Sequence, residues 1–120
     1  VAQKRTRRIS PTQHWWESLS DELRAFKAAQ RRCKKSGVVF DITVEDVPPM
    51  PTHCPISGLE LRRGTNGKPE AYSPSLDRVD NTKGYVPGNI QWLSYKANSW
   101  KGNMTLDQIK RLYEYSIQRN

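Results

Sequence analysis

The segment Ser75-Leu-Asp-Arg-Val-Asp-Asn-Thr-Lys-Gly-Tyr-Val-Pro-Gly-Asn-Ile-Gln-Trp-Leu-Ser-Tyr-Lys-Ala-Asn-Ser-Trp-Lys101 constrains the fold more than any other part of the chain. Ser75–Val79 alternates as a strand does, Asp80–Gly84 carries turn residues, and Asn89–Leu93 leads into a helix near Ser94–Lys101. Two aspartates, a glycine-bearing turn, a loop asparagine and an Asn-x-x-Lys helix start therefore fall within one short unit. Building a core does not call for so many short polar groups in this order. The rest of the chain must fold around them.

The flanks predict helices. Trp16, Leu19, Leu23, Phe26 and Cys33 follow the three-four spacing of an amphipathic helix over residues 14–36, stopped by Gly37 and with Lys34 and Lys35 in its last turn. Val38–Ile42 reads as extended, and Thr43 caps one helical turn over Val44–Val47 that Pro48 and Pro49 end. Pro51–Leu61 reads as a tight turn leading into a strand, and Arg62–Pro74 as a loop. Thr105-Leu-Asp-Gln108 is a capping box for a last helix whose apolar stripe is Leu106, Ile109, Leu112, Tyr113 and Ile117. The expected class is α+β: a flexible basic arm over residues 1–13 and one domain over residues 14–120. Trp15 and Trp16 are expected to staple the first helix to the core rather than stack on bases.

Charge narrows the partner. Residues 1–36 hold ten of the chain's 20 basic residues, against only Glu17, Asp21 and Glu22, so most of the net +8 lies in this first third. A basic arm and helix on a near-neutral body suits a phosphate backbone. Arg5, Arg7, Arg8, Arg31, Arg32, Lys34 and Lys35 are the candidate contacts there, with Lys83, Lys96 and Lys101 in the central segment. No apolar run approaches the roughly 20 residues of a membrane span, and no leader-like segment is present, so a soluble intracellular protein is expected. Cys33 and Cys54 are too few for a disulfide framework, and Cys33 lies in the apolar stripe as a small core residue.

The order of polar residues over 75–101 resembles the ββα-metal motif of the His-Asn-His (HNH) nucleases, most closely the phage-encoded proteins related to recombination endonuclease VII. Weaker upstream likeness, through the basic helix, Gly-x-x-Phe-Asp-Ile-Thr and Cys-Pro, extends it over roughly residues 24–118. The resemblance implies a small HNH-like core at about 75–101, with Asp77 and Asn98 as ligands of one Mg²⁺ or Mn²⁺, Asn89 bracing the loop and Lys101 facing the DNA backbone. It also implies DNA, duplex or branched, as substrate, in the cytoplasm of a bacterial host if the chain is phage-encoded.

Two departures matter. The cysteine pairs that clamp a structural zinc in such proteins correspond here to Cys54-Pro-Ile-Ser57 and Ser94-Tyr-Lys-Ala97, so one thiolate of four remains and no structural zinc is expected. Packing around Ile56, Leu59 and Trp92 is expected to hold the turn instead. Arg78 stands at the general-base position, and arginine cannot accept a proton from water. Arg78 could clamp the scissile phosphate while another group (Asp80, or more remotely His53) serves as base, or bulk hydroxide supplies the nucleophile. Alternatively, the fold keeps its DNA-binding surface and has lost efficient cleavage. The expected function is a metal-dependent DNA endonuclease or nicking enzyme with catalytic residues Asp77, Arg78, Asp80, Asn89 and Asn98. The alternative is a DNA-binding or packaging accessory protein. No membrane partner is expected, and the long first helix offers a face for a homodimer.

Overall fold

Ser20 sets the start of the first helix. Its hydroxyl accepts from the Leu23 amide at 3.2 Å, satisfying one of the donors that a first helical turn leaves free. Helix α1 then runs Asp21–Ser36, with Asp21 and Glu22 at its positive end, Lys34 and Lys35 at its negative end, and Gly37 closing it at φ 77°. One helix running from residue 14 is therefore corrected, because a capped start falls at Ser20. The computed structural model describes residue 15, residues 18–64 and residues 68–119. Arg5, Arg7, Arg8 and Trp16 lie outside these. Trp15 is half exposed, with Lys27 Nζ 5.5 Å above its ring, rather than buried as a staple.

Ala29 and Cys33 carry the buried face of α1 into the core. Phe26 packs edge-on to Phe40 at 5.2 Å, and Phe40 lies 5.7 Å from Tyr85. The extended stretch around Phe40 makes a single parallel bridge to Tyr85. Gly84 permits that approach, since a Cβ there would stand 2.5 Å from the Val39 carbonyl oxygen. Thr43 and Asp46 form a capping box around one 3-10 turn, Val44–Asp46.

The expected strand within Pro51–Leu61 does not form. The segment is a tight turn closed by one antiparallel bridge between His53 and Glu60, with Gly58 at φ 76°. Cys54 and Leu61 enter the core, whereas Ile56 is 63% exposed and does not hold the turn.

Strands β1 (Pro74–Arg78) and β2 (Ile90–Ser94) pair antiparallel, with Leu76 opposite Trp92 and Asp77 opposite Gln91. The approach to the helix is thus itself a strand, as its Ile and Trp favour. Ser94 ends β2 and caps helix α2 (Tyr95–Lys101) by accepting from the Ala97 amide at 3.1 Å. Helix α3 (Leu106–Gln118) follows, opened by the Thr105–Gln108 capping box, and buries none of its residues.

The architecture is α+β: among the described residues, three helices and one two-stranded sheet. No helix among them is long and apolar enough to cross a membrane.

Candidate active site

Side chains alternate across a strand, so Ser75 and Asp77 share one face of β1 while Leu76 points the other way. Leu76 is 1% exposed and belongs to the core. Helix α2 lies along the Ser75–Asp77 face and packs on both strands. Asn98 Nδ2 donates to Ser75 Oγ at 3.3 Å, and one helical turn on, Lys101 Nζ donates to Asp77 Oδ2 at 2.7 Å. The hairpin and the helix thus bring Asp77, Asn98 and Lys101 into one crease.

Asp77 is buried, and its Oδ2 also accepts from Gln91 Nε2, the residue directly across the sheet, at 3.0 Å. Lys101 makes three bonds: to Asp77, to Asn81 Oδ1 at 3.2 Å and, more closely, to the backbone oxygen of Arg78. The ammonium and carboxylate are about equally enclosed, at 11% and 10% exposure, so this is a buried ion pair. Lys101 is therefore turned inward onto Asp77 rather than outward toward a DNA backbone.

The loop between the strands is cross-braced. Asn89 donates to the carbonyls of Asp80 at 3.1 Å and Gly84 at 2.8 Å and accepts from the Asp80 amide at 2.9 Å. Arg78 Nη1 donates to the carbonyls of Asn81 and Lys83, and its guanidinium lies 5.9 Å over Tyr85. Those bonds tie part of the guanidinium into the loop. Asp80 falls beyond the end of β1 and turns back on Thr82, accepting from its amide and hydroxyl at 2.9 and 2.7 Å. These bonds hold its carboxyl below the usual carboxylate range, which weakens it as a base. His53 is exposed, with Nδ1 3.1 Å from Thr52 Oγ1.

The positions matching the cysteine pairs meet at the base of the crease. Ser57 Oγ lies 2.8 Å from Ser94 Oγ, and the Ser57 amide donates to Cys54 Sγ at 3.4 Å. Ser94 and Ala97 are fully enclosed. A hydroxyl pair and one thiol thus join the turn to the start of α2. Burial pushes the Cys54 thiol up, but hydrogen bonds from the Ser57 side chain and amide and from Ser94 outweigh it and lower the thiol to about 6.

Among the basic candidates, Arg31, Lys34, Lys35, Lys83 and Lys96 are exposed, and Lys96 stands 5.7 Å over the Trp100 ring. Arg32 is exposed as well, but its guanidinium is engaged, donating to Leu76 O at 3.1 Å and Tyr85 Oη at 3.3 Å. Sequence reasoning misses Gln91, Asn81 and Ser75. The cross-strand position of Gln91 is the only signal that points to any of them, and it needs the register first.

The donor chemistry of Asp77 and Asn98 suits a hard divalent cation: one carboxylate and one amide oxygen, with water and phosphate completing the shell as Mg²⁺ prefers. Among the described residues no group of three or more His, Cys, Asp or Glu side chains could hold a metal by itself. Comparison with protein-family models, curated proteins and solved structures returns no match.

Proposed function

We propose that this protein is a divalent-metal-dependent DNA endonuclease or nicking enzyme of the HNH-like kind. The observation that carries the reading is the shared crease: a buried carboxylate on β1 and an amide on α2 face one another's elements, beside a loop braced by Asn89. Mg²⁺ or Mn²⁺ held by Asp77 and Asn98 would supply the positive charge that stabilises the leaving oxygen of a phosphodiester. Asn89 keeps the loop in register with that position. Arg78 contributes its remaining guanidinium donors to a phosphate oxygen. With Arg78 unable to take a proton and Asp80 a weak base, the attacking hydroxide comes from solvent, and cleavage is slow and rises with pH.

The exposed cations of α1 and the arm, which lies outside the described residues, bring the backbone to the crease. The substrate is duplex or branched DNA, met in the cytoplasm of a bacterial host if the chain is phage-encoded. Double-strand cleavage would use two copies; the first helix turns its stripe into the core at Ala29 and Cys33, so the unburied stripe of α3 is the face left for a second copy.

A second reading, a DNA-binding or packaging accessory without cleavage, is favoured by one specific observation: Asp77 is already paired with Lys101. Single-turnover incubation of end-labelled duplex and four-way junction DNA with Mg²⁺, Mn²⁺ or EDTA separates the two. Metal-dependent products that disappear in Asn98→Ala support the enzyme. Retention of both DNAs without products under every metal gives the accessory reading the lead.

A further inference from the structure

Lys101 occupies an unusual position for a surface helix residue. Its ammonium has three donors, and the structure gives it three oxygen acceptors from three different parts of the site. Asp77 comes from the strand, the Arg78 carbonyl from the strand's end, and Asn81 from the loop. Asn81 in turn donates to the carbonyls of Gly102 and Met104, at 3.3 and 2.8 Å, just beyond the helix. One enclosed positive charge thus gathers a strand, a loop and a helix end.

We infer that Lys101 is the resident cation of the crease, a positioning residue that holds the oxygens of Asp77, Arg78 and Asn81 together in the nucleic-acid-free protein and that competes with a divalent metal for Asp77. The inference rests on the nuclease reading only for the identity of the incoming ion. A divalent ion on Asp77 and an ammonium 2.7 Å from the same oxygen repel each other strongly in an enclosed site, so the two do not share Oδ2. Metal entry at Oδ2 requires Lys101 to leave, and leaving a buried partner is costly unless another anion receives the ammonium.

A phosphate of the DNA backbone is such an anion. Phosphate draws Lys101 outward and frees Asp77, so DNA and metal each raise the affinity for the other, as linkage requires. The free protein binds metal weakly and the DNA complex binds it well. The site charges only when there is a backbone to act on.

The test is a Mn²⁺ titration of the full chain by calorimetry, without nucleic acid, comparing the wild type, Lys101→Gln and Lys101→Gln combined with Asp77→Asn. Glutamine keeps a donor for Asp77 and removes the charge. The inference expects Lys101→Gln to bind Mn²⁺ about tenfold or more tighter than wild type, with the gain abolished by Asp77→Asn. Equal affinities for wild type and Lys101→Gln overturn it.

Should Lys101→Gln not fold, the unmodified protein serves. Its lysine side chains, labelled with ¹⁵N, are observed with a non-hydrolysable phosphorothioate duplex and diamagnetic Mg²⁺ added in either order. A protected ammonium signal that survives Mg²⁺ alone and is lost on adding duplex supports the inference. A signal lost to Mg²⁺ alone overturns it. Neither arm measures cleavage, so a tighter-binding Lys101→Gln in a protein that never cuts DNA would sink the nuclease reading and leave this one standing.

Discussion

At the scale of the residue, Asp77 and Lys101 show how a site side chain can also be structural. Replacing Asp77 by Ala leaves an enclosed ammonium without its counter-charge, at a cost of about 3–5 kcal/mol. Thermal denaturation should register that loss; Asp77→Asn removes the same counter-charge but keeps the shape and an oxygen acceptor for Lys101 and Gln91, so it should lose part of that stability rather than all of it. Cleavage should vanish in both, so Asp77→Asn is the variant that separates chemistry from folding. Cys54 gives a second residue-level expectation, on pH. Its thiol lies near 6 in the folded chain against an ordinary 9.0, so folding favours the thiolate. That contribution is fully present above 9.0 and is lost as pH falls through about 6. Stability followed by chemical denaturation should therefore rise with pH across that window, and Cys54→Ala should flatten the rise. Cys33 runs the other way, because burial pushes its thiol up, and it acts only above the ordinary value.

The element scale is where sequence and structure can be compared most usefully. Short-range signals are legible: Gly37 ends α1, Thr43 and Asp46 cap a single turn, and Thr105 with Gln108 opens α3. Each depends on a side chain or a single glycine acting on its own neighbouring backbone, which a sequence displays directly. The start of α1 is harder to place, because apolar spacing alone runs through residue 20 while the cap that interrupts it is one serine. The Cys54 turn misleads because Ile56 looks like packing material, and the bond that joins the turn to α2 is the long-range pair Ser57–Ser94. The ion pair of Asp77 with Lys101 is illegible for the same reason: it needs the hairpin register and the helix direction together. Ser94→Ala should accordingly cost about 1–2 kcal/mol or more, since it removes the cap of α2 and strands Ser57 at once. A shift in the urea midpoint no larger than that of an exposed serine control would contradict the account of how the crease is assembled. Gly84→Ala should also destabilise, by forcing Val39 away and breaking the Phe40–Tyr85 bridge.

Across the whole molecule, net charge is unevenly spread. The basic residues concentrate in the first third of the chain, while Leu106, Leu112, Tyr113, Tyr115 and Ile117 stand exposed on α3. Removing residues 1–13, which include Lys4, Arg5, Arg7 and Arg8, should weaken DNA binding. It should also reduce the slope of log affinity against log salt by about 0.9 for each phosphate that the arm would have neutralised. An unchanged slope in fluorescence anisotropy would make the arm a bystander. Hydrolysis of a phosphodiester is seen at once on supercoiled plasmid, where a single cut relaxes the circle. Wild type and Asp77→Asn are incubated with plasmid in Mg²⁺, in Mn²⁺ and in EDTA, and nicked circles are quantified on a gel. The wild type should nick in Mn²⁺ or Mg²⁺ and not in EDTA, and Asp77→Asn should not nick at all. Nicking that persists undiminished in Asp77→Asn, or its absence with every metal while the plasmid is bound, would contradict hydrolysis at this site.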